Sequence, residues 1–151
     1  MHRHLPLSRL GQHIHHPQGM QLLGKDPQAL IRAAVRCEGL GADIVDLNMG
    51  CPMPKITGKG KGAALMKDVP GTARLLRVMR QTISVPFTIK IRGGWDDLHL
   101  NAVEVARMAQ LVGAVVGVGH RRVDAHRHVE LDALGVQRVV ALVAGGEAGV
   151  E

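Results

Sequence analysis

Two hydrophobic periods alternate along this chain. Short apolar runs at 20–23, 44–47, 85–91 and 114–118 have the length of buried strands. Between them, apolar residues recur three and four apart, as on one face of a helix. The first such stretch opens at Asp26-Pro27, which predicts Asp26 as N-cap and Pro27 at the first helical position. Its apolar face is Leu30, Ala33, Ala34, Cys37 and Leu40, and Gly39 and Gly41 stop it. The second opens at Pro70 and carries Leu75, Leu76, Met79 and Ile83. The third follows a loop over 93–100, with Asn101 as its expected cap and Val105, Ala106, Ala109 and Val112 as its face. A Lys/Gly-rich loop is expected over 52–62. Residues 129–144 read as a helix with no clear strand after it, and 145–151 as a frayed end.

Strand and helix in alternation predict a parallel α/β unit. Right-handed crossovers then place every strand C-terminus on one side. Gly24, Cys51, Lys90 and Arg92 are expected along that rim. The 151 residues suffice for one modest domain but not for a complete eight-stranded α/β barrel, which takes about 250. Phe87 and Trp95 are the only aromatic residues, so the core has to be built from aliphatic side chains.

Charge and cysteine content narrow the partners and the compartment. A formal net charge of +6 favours phosphate-rich partners such as RNA or a nucleotide cofactor. Two cysteines, Cys37 in a helix face and Cys51 at a strand end, form no disulfide framework. Neither a signal peptide nor a membrane span is recognisable, so a cytoplasmic protein with reduced thiols and no membrane partner is expected.

The candidate chemistry lies at two strand ends. Cys51 closes the run Asp46-Leu-Asn-Met-Gly-Cys-Pro52, where an α/β barrel keeps its active site. Its thiol can serve as a nucleophile, a metal ligand or a proton donor, or be a small buried residue at a tight turn. No neighbouring Cys or His has metal-ligand spacing, and no metal site is expected. Lys90 and Arg92 alternate with Ile89 and Ile91, which places both cations on one face. Cations pointing inward need an anionic or polar partner, either a flavin ring or phosphate or a carboxylate such as Asp46. The loop Lys55-Ile-Thr-Gly-Lys-Gly-Lys-Gly62 lacks the Gly-Lys-Ser/Thr of a nucleotide-binding P-loop, and reads as a solvated or RNA-contacting basic loop. The histidines cluster at 13–16 and 126–128 without a standard ligand spacing.

Taken together, four motifs in order resemble tRNA-dihydrouridine synthases. They are Met20-Gln-Leu-Leu-Gly24 with Asp26-Pro27; Asp43-Ile-Val-Asp-Leu-Asn-Met-Gly-Cys-Pro52 followed by Lys55, Gly62 and Ala64-Leu-Met66; Ile89-Lys-Ile-Arg-Gly-Gly-Trp-Asp-Asp97; and Asn101-Ala-Val-Glu-Val-Ala106. The resemblance covers about residues 20–118. It implies an α/β fold, a partial TIM (β/α)8 barrel of roughly strands three to six, that binds FMN, takes electrons from NADPH and reduces uracil in tRNA. Under it Cys51 is the general acid, Gln21, Lys90 and His120 hold the flavin, and Asn48 and Arg92 bind the substrate. Enzymes that act on a base take it out of its stack, and a basic surface suits the RNA backbone.

The resemblance has gaps. Residues 1–19 lack the family's Ala-Pro-Met-type flavin contact. Val118-Gly-His-Arg-Arg122 departs from its Val-His-Gly-Arg element, and residues 119–151 lack the flavin-phosphate elements and the helical domain. Three segments are therefore expected: a divergent 1–19, a partial barrel over 20–118 and a divergent 119–151. A truncated or frameshifted reading frame accounts for that pattern. The other expectations are an inactive remnant of such an enzyme and a small basic RNA-binding module. The second is opposed by the lack of aromatic stacking platforms.

Overall fold

The computed structural model describes residues 17–118 and 138–143. Three strand–helix units and a fourth strand follow one another: β1 (Gln18–Leu23), α1 (Pro27–Gly39), β2 (Ile44–Asn48), a short α2 (Pro54–Thr57), a 3-10 turn (Gly62–Lys67), α3 (Val69–Thr82), β3 (Phe87–Ile91), α4 (Ala102–Leu111) and β4 (Val115–Val118). A fifth strand, β5 (Arg138–Val143), completes a sheet in the order β4-β3-β2-β1-β5. All pairings are parallel. The fold is α/β, an open, partial barrel-like arc, as the alternation of elements predicts.

Caps set the helix starts. Asp26 accepts from the Ala29 N–H at 2.7 Å, and Pro27 sits in the first turn. Asp68 does the same for α3, accepting from the Gly71 N–H at 2.9 Å. Asn101 occupies the N-cap position of α4 but does not cap it with its side chain. Its Nδ2 donates instead to the Met66 carbonyl at 2.8 Å, which ties α4 to the 3-10 turn. α1 ends at Gly39, so Leu40 falls at the C-cap and is exposed rather than part of the apolar face.

Two further expectations are corrected. The basic loop over 52–62 contains the short α2, because Pro54 starts a turn in which Ile56 and Thr57 both donate to the Met53 carbonyl. The helix expected over 129–144 is replaced over Arg138–Val143 by β5, which pairs along the whole of β1. Its Val139-Val-Ala-Leu-Val143 run is rich in β-branched residues, and the edge of β1 offers unpaired backbone groups.

The core lies on one face of the sheet. Leu22, Val45, Leu47, Phe87, Ile89 and Ile91 pack against Leu30, Ala34 and Cys37 of α1, Leu75, Leu76 and Met79 of α3, and Val105 and Ala109 of α4. Glu38 links α1 to the turn before β3, accepting from the Ser84 and Val85 N–H groups and the Ser84 hydroxyl. These three bonds hold its carboxyl below the ordinary glutamate range.

Candidate functional site

Strand register decides which side chains meet on the other face. Gln21 pairs with Asp46, and Asp46 with Thr88. One pleat further on, Asn48 pairs with Lys90 and Lys90 with Gly117. Side chains two residues apart share a face, so Asp46 and Asn48 of β2 and Thr88 and Lys90 of β3 form a polar patch opposite the core. The parallel sheet brings this patch to the C-terminal rim, where Gly24, Cys51 and Arg92 follow their strands.

The patch is hydrogen-bonded in sequence. Thr88 Oγ1 donates to Asp46 Oδ1 at 2.5 Å, and Gln21 Nε2 donates to Asp46 Oδ2 at 2.6 Å. The other end of the Gln21 amide, Oε1, accepts from Asn48 Nδ2 at 3.1 Å. Asn48 Oδ1 then accepts from the backbone N–H of Gly50 at 3.1 Å and of Cys51 at 3.0 Å. Burial pushes the Asp46 carboxyl up, against the opposing pull of Thr88, Gln21 and the Lys90 charge. The ion pair considered between Asp46 and the strand cations is therefore not the arrangement found: Asp46 is held by neutral donors.

Cys51 sits on a turn fixed from both sides. Its N–H is held by Asn48, and its carbonyl accepts from the Ala63 N–H at 3.0 Å. Gly62 is required beside it. Its φ is +60°, and a Cβ there would lie 2.7 Å from the Cys51 carbonyl oxygen and 3.1 Å from the Cys51 Cβ. The thiol is free and half-buried. Cys37, by contrast, is fully buried in the core, and burial pushes its thiol up to about 11.

The two cations behave differently. Lys90 is half-buried; its carbonyl accepts from the Met49 N–H at 2.8 Å, but among the described residues its ammonium makes no hydrogen bond or ion pair. A half-buried ammonium with three unused donors beside Asn48 suits an acceptor-rich ring, so the residues present fit a flavin edge. Arg92 lies just past β3 and pairs with Asp97 at 3.6 Å. It lines an open cleft of about 510 Å³ with Pro52, Lys67 and Trp95. Trp95 is stacked on His99 at 4.0 Å and has Lys67 Nζ 4.5 Å from its centroid, so its ring is already engaged. A larger groove of about 600 Å³ lies along α4, between Leu100 and Leu111, and reaches Val69 at the start of α3.

The structure thus brings together Gln21, Asn48, Lys90 and Cys51, with Arg92 beside them. His120 and both histidine clusters lie outside the described residues. Among the described residues no group of three or more His, Cys, Asp or Glu is arranged to hold a metal ion, and no helix is long and apolar enough to cross a membrane. Sequence reasoning left Asp46 as a possible ion-pair partner, named Gly62 only as a motif position and passed over Thr88. The signal for Asp46 was present, a carboxylate two residues before Asn48 inside an otherwise apolar run.

Comparison with known proteins identifies the family. The family model described as dihydrouridine synthase matches residues 2–143. A tRNA-dihydrouridine synthase B of Pseudomonas aeruginosa is 41% identical over 109 residues, 72% of this chain and 33% of the relative. One from Xanthomonas axonopodis pv. citri is 42% identical over 111 residues, 73% of this chain and 33% of the relative. One from Pseudomonas putida is 35% identical over 132 residues, 85% of this chain and 39% of the relative. The matched part of the chain therefore spans about a third of the length of these relatives. On the family match and the identity to these relatives, the chain belongs to the dihydrouridine synthase family.

Proposed function

We propose that this chain carries the uracil-reducing site of a flavin-dependent tRNA-dihydrouridine synthase, with Cys51 as the general acid. The observation that carries the reading is the turn at Cys51. A free, half-buried thiol stands at the C-terminal rim of a parallel sheet, its backbone held by Asn48 and by Ala63. The relatives bear the name tRNA-dihydrouridine synthase, which makes uracil in tRNA the substrate of this reading.

Saturating the C5–C6 bond of uracil takes a hydride at one carbon and a proton at the other. When bound, reduced FMN supplies the hydride to C6, and NADPH restores the electrons. Cys51 supplies the proton to C5 from its Sγ–H and recovers it from solvent, to which its half-buried position leaves access. Lys90 directs its unused donors to acceptors on the flavin ring, and Gln21 borders the same edge. Asn48 has both amide ends engaged within the protein, so its part here is to hold the Cys51 turn. Arg92, paired with Asp97, places positive charge at the cleft beside Pro52, where an RNA backbone would pass.

The test is dihydrouridine formation in unmodified tRNA transcript by the purified chain with FMN and NADPH. Activity is expected, with retained flavin absorbance after free ligand is removed. Cys51→Ala should keep the flavin and lose reduction by at least about 100-fold, the scale of a general acid. Undiminished reduction by that variant would remove Cys51 from the mechanism. A chain that retains no flavin and reduces no uracil would leave the basic RNA-binding alternative, which salt-sensitive tRNA binding without flavin would support.

A further inference from the structure

We infer that Asp46 is a positioning residue for Cys51, acting through the Gln21 and Asn48 amides. The significance of that position rests on the general-acid reading of Cys51, but the geometry stands independently of it.

The chain of bonds has a fixed direction. At one end, the backbone N–H groups of Gly50 and Cys51 can only donate, so the amide facing them has to present Oδ1. Asn48 Nδ2 is then turned toward Gln21, which has to present Oε1. Gln21 Nε2 is left facing Asp46, which has to accept. Both ends therefore demand the same orientation of the two amides between them. Flipping either amide would set donor against donor at one of its junctions and acceptor against acceptor at the other; for Asn48 the donor–donor clash falls at the Cys51 turn. The acceptor at position 46 is what completes the relay, five residues along β2 and the turn from the thiol it orients.

What position 46 has to supply is an acceptor on the Gln21 side, not a charge. Thr88 Oγ1 can donate to Asp46 Oδ1 as found, or accept from a group placed there. Asparagine at position 46 can therefore point Oδ1 at Gln21 and Nδ2 at Thr88 and preserve the relay. Leucine, of similar size, cannot.

Thiol alkylation tests this on the full chain without flavin or tRNA. Cys51 is the accessible thiol, and buried Cys37 reports loss of the fold. In native Asp46→Leu, iodoacetamide should modify Cys51 about fivefold faster than in the wild type, the effect of losing one hydrogen bond, while Cys37 stays protected. Asp46→Asn should restore the wild-type rate. Gln21→Leu breaks the same relay one step later and should match Asp46→Leu; it also serves if Asp46→Leu exposes Cys37. An unchanged Cys51 rate in Gln21→Leu with Cys37 protected would overturn the inference, and so would an Asp46→Asn variant as fast as Asp46→Leu. Loss of uracil reduction in Cys51→Ala bears on the general-acid reading alone, so the two fail separately.

Discussion

The two faces of β2 and β3 alternate residue by residue and do opposite work. Val45, Leu47, Phe87, Ile89 and Ile91 point under the helices and are buried to within 1%. Asp46, Asn48, Thr88 and Lys90 point the other way, and polar partners rather than apolar packing hold Asp46, Asn48 and Thr88. The helix side removes apolar surface from water and stabilises the fold. The polar side holds a carboxylate that burial pushes up, which means its charged form is disfavoured there. A single strand thus carries stability on one set of positions and the orientation of a reactive turn on the other. The two thiols fall on the two sides, Cys37 within the helix-side core and Cys51 at the polar rim.

The largest effect should come from cutting into the helix side. Ile89 is fully buried in β3, an interior strand of the sheet, between Leu47 and Val116 in register. Ile89→Ala should cost about 3 kcal/mol, the sum of lost burial and a residual cavity. Urea denaturation measures the loss. Under native conditions the Cys51 alkylation rate should stay at its wild-type value, because Ile89 contributes nothing to the amide relay. A change in that rate at full folding would show that the two faces are coupled.

Cys37 gives the helix side a pH signature. Its thiol has an ordinary value of 9.0 and is pushed by burial to about 11, with Arg36 pulling slightly the other way. The folded state therefore holds the proton more tightly than the unfolded chain. The stability this represents is fully present below pH 9 and is lost as pH rises through 11. The loss should be on the order of 2 kcal/mol, from the size of the shift. Urea midpoints at pH 8, 10 and 11 read it, and Cys37→Ala should flatten that part of the profile. A wild-type and Cys37→Ala pair with parallel profiles would remove Cys37 as the cause.

Much of the helix side was legible in the sequence because it depends on local periodicity. Leu30, Ala34 and Cys37, and then Leu75, Leu76 and Met79, follow the helical repeat, and the strand runs between them are short and apolar. Asp26-Pro27 announced α1 through side-chain chemistry that acts within four residues. The polar face was legible only by residue type. Gln21, Asn48, Cys51 and Lys90 could be singled out one at a time, through motifs. That Gln21 reaches Asp46 and Asn48 is a matter of register between β1 and β2, and no local pattern states a register. The same applies to Asn101, whose type suits an N-cap but whose amide is drawn to the Met66 carbonyl by a tertiary contact. β5 was missed because a run of Val, Ala and Leu suits a buried helix as well as a strand. Its partner, the free edge of β1, lies more than a hundred residues earlier.

The smallest expected effect sharpens the comparison most, because it separates charge from orientation at one position. Burial raises the Asp46 carboxyl above its ordinary value, so the folded protein binds that proton more tightly than the unfolded chain. The associated stability is present in acid, below the ordinary aspartate range, and is lost as pH rises through the raised folded value. Asparagine does not titrate and has no such loss. Asp46→Asn should therefore be nearest to the wild type in stability at low pH and gain on it as pH rises toward neutral, where the difference levels off. Paired urea midpoints at pH 4, 5.5 and 7.5 measure that difference and cancel the titration of every other group. A wild type that instead gains on Asp46→Asn between pH 4 and 7.5 would mean that the charge on Asp46 is itself stabilising. Lys90 would then be the partner to examine, and the polar face would owe its cohesion to charge rather than to the direction of its hydrogen bonds.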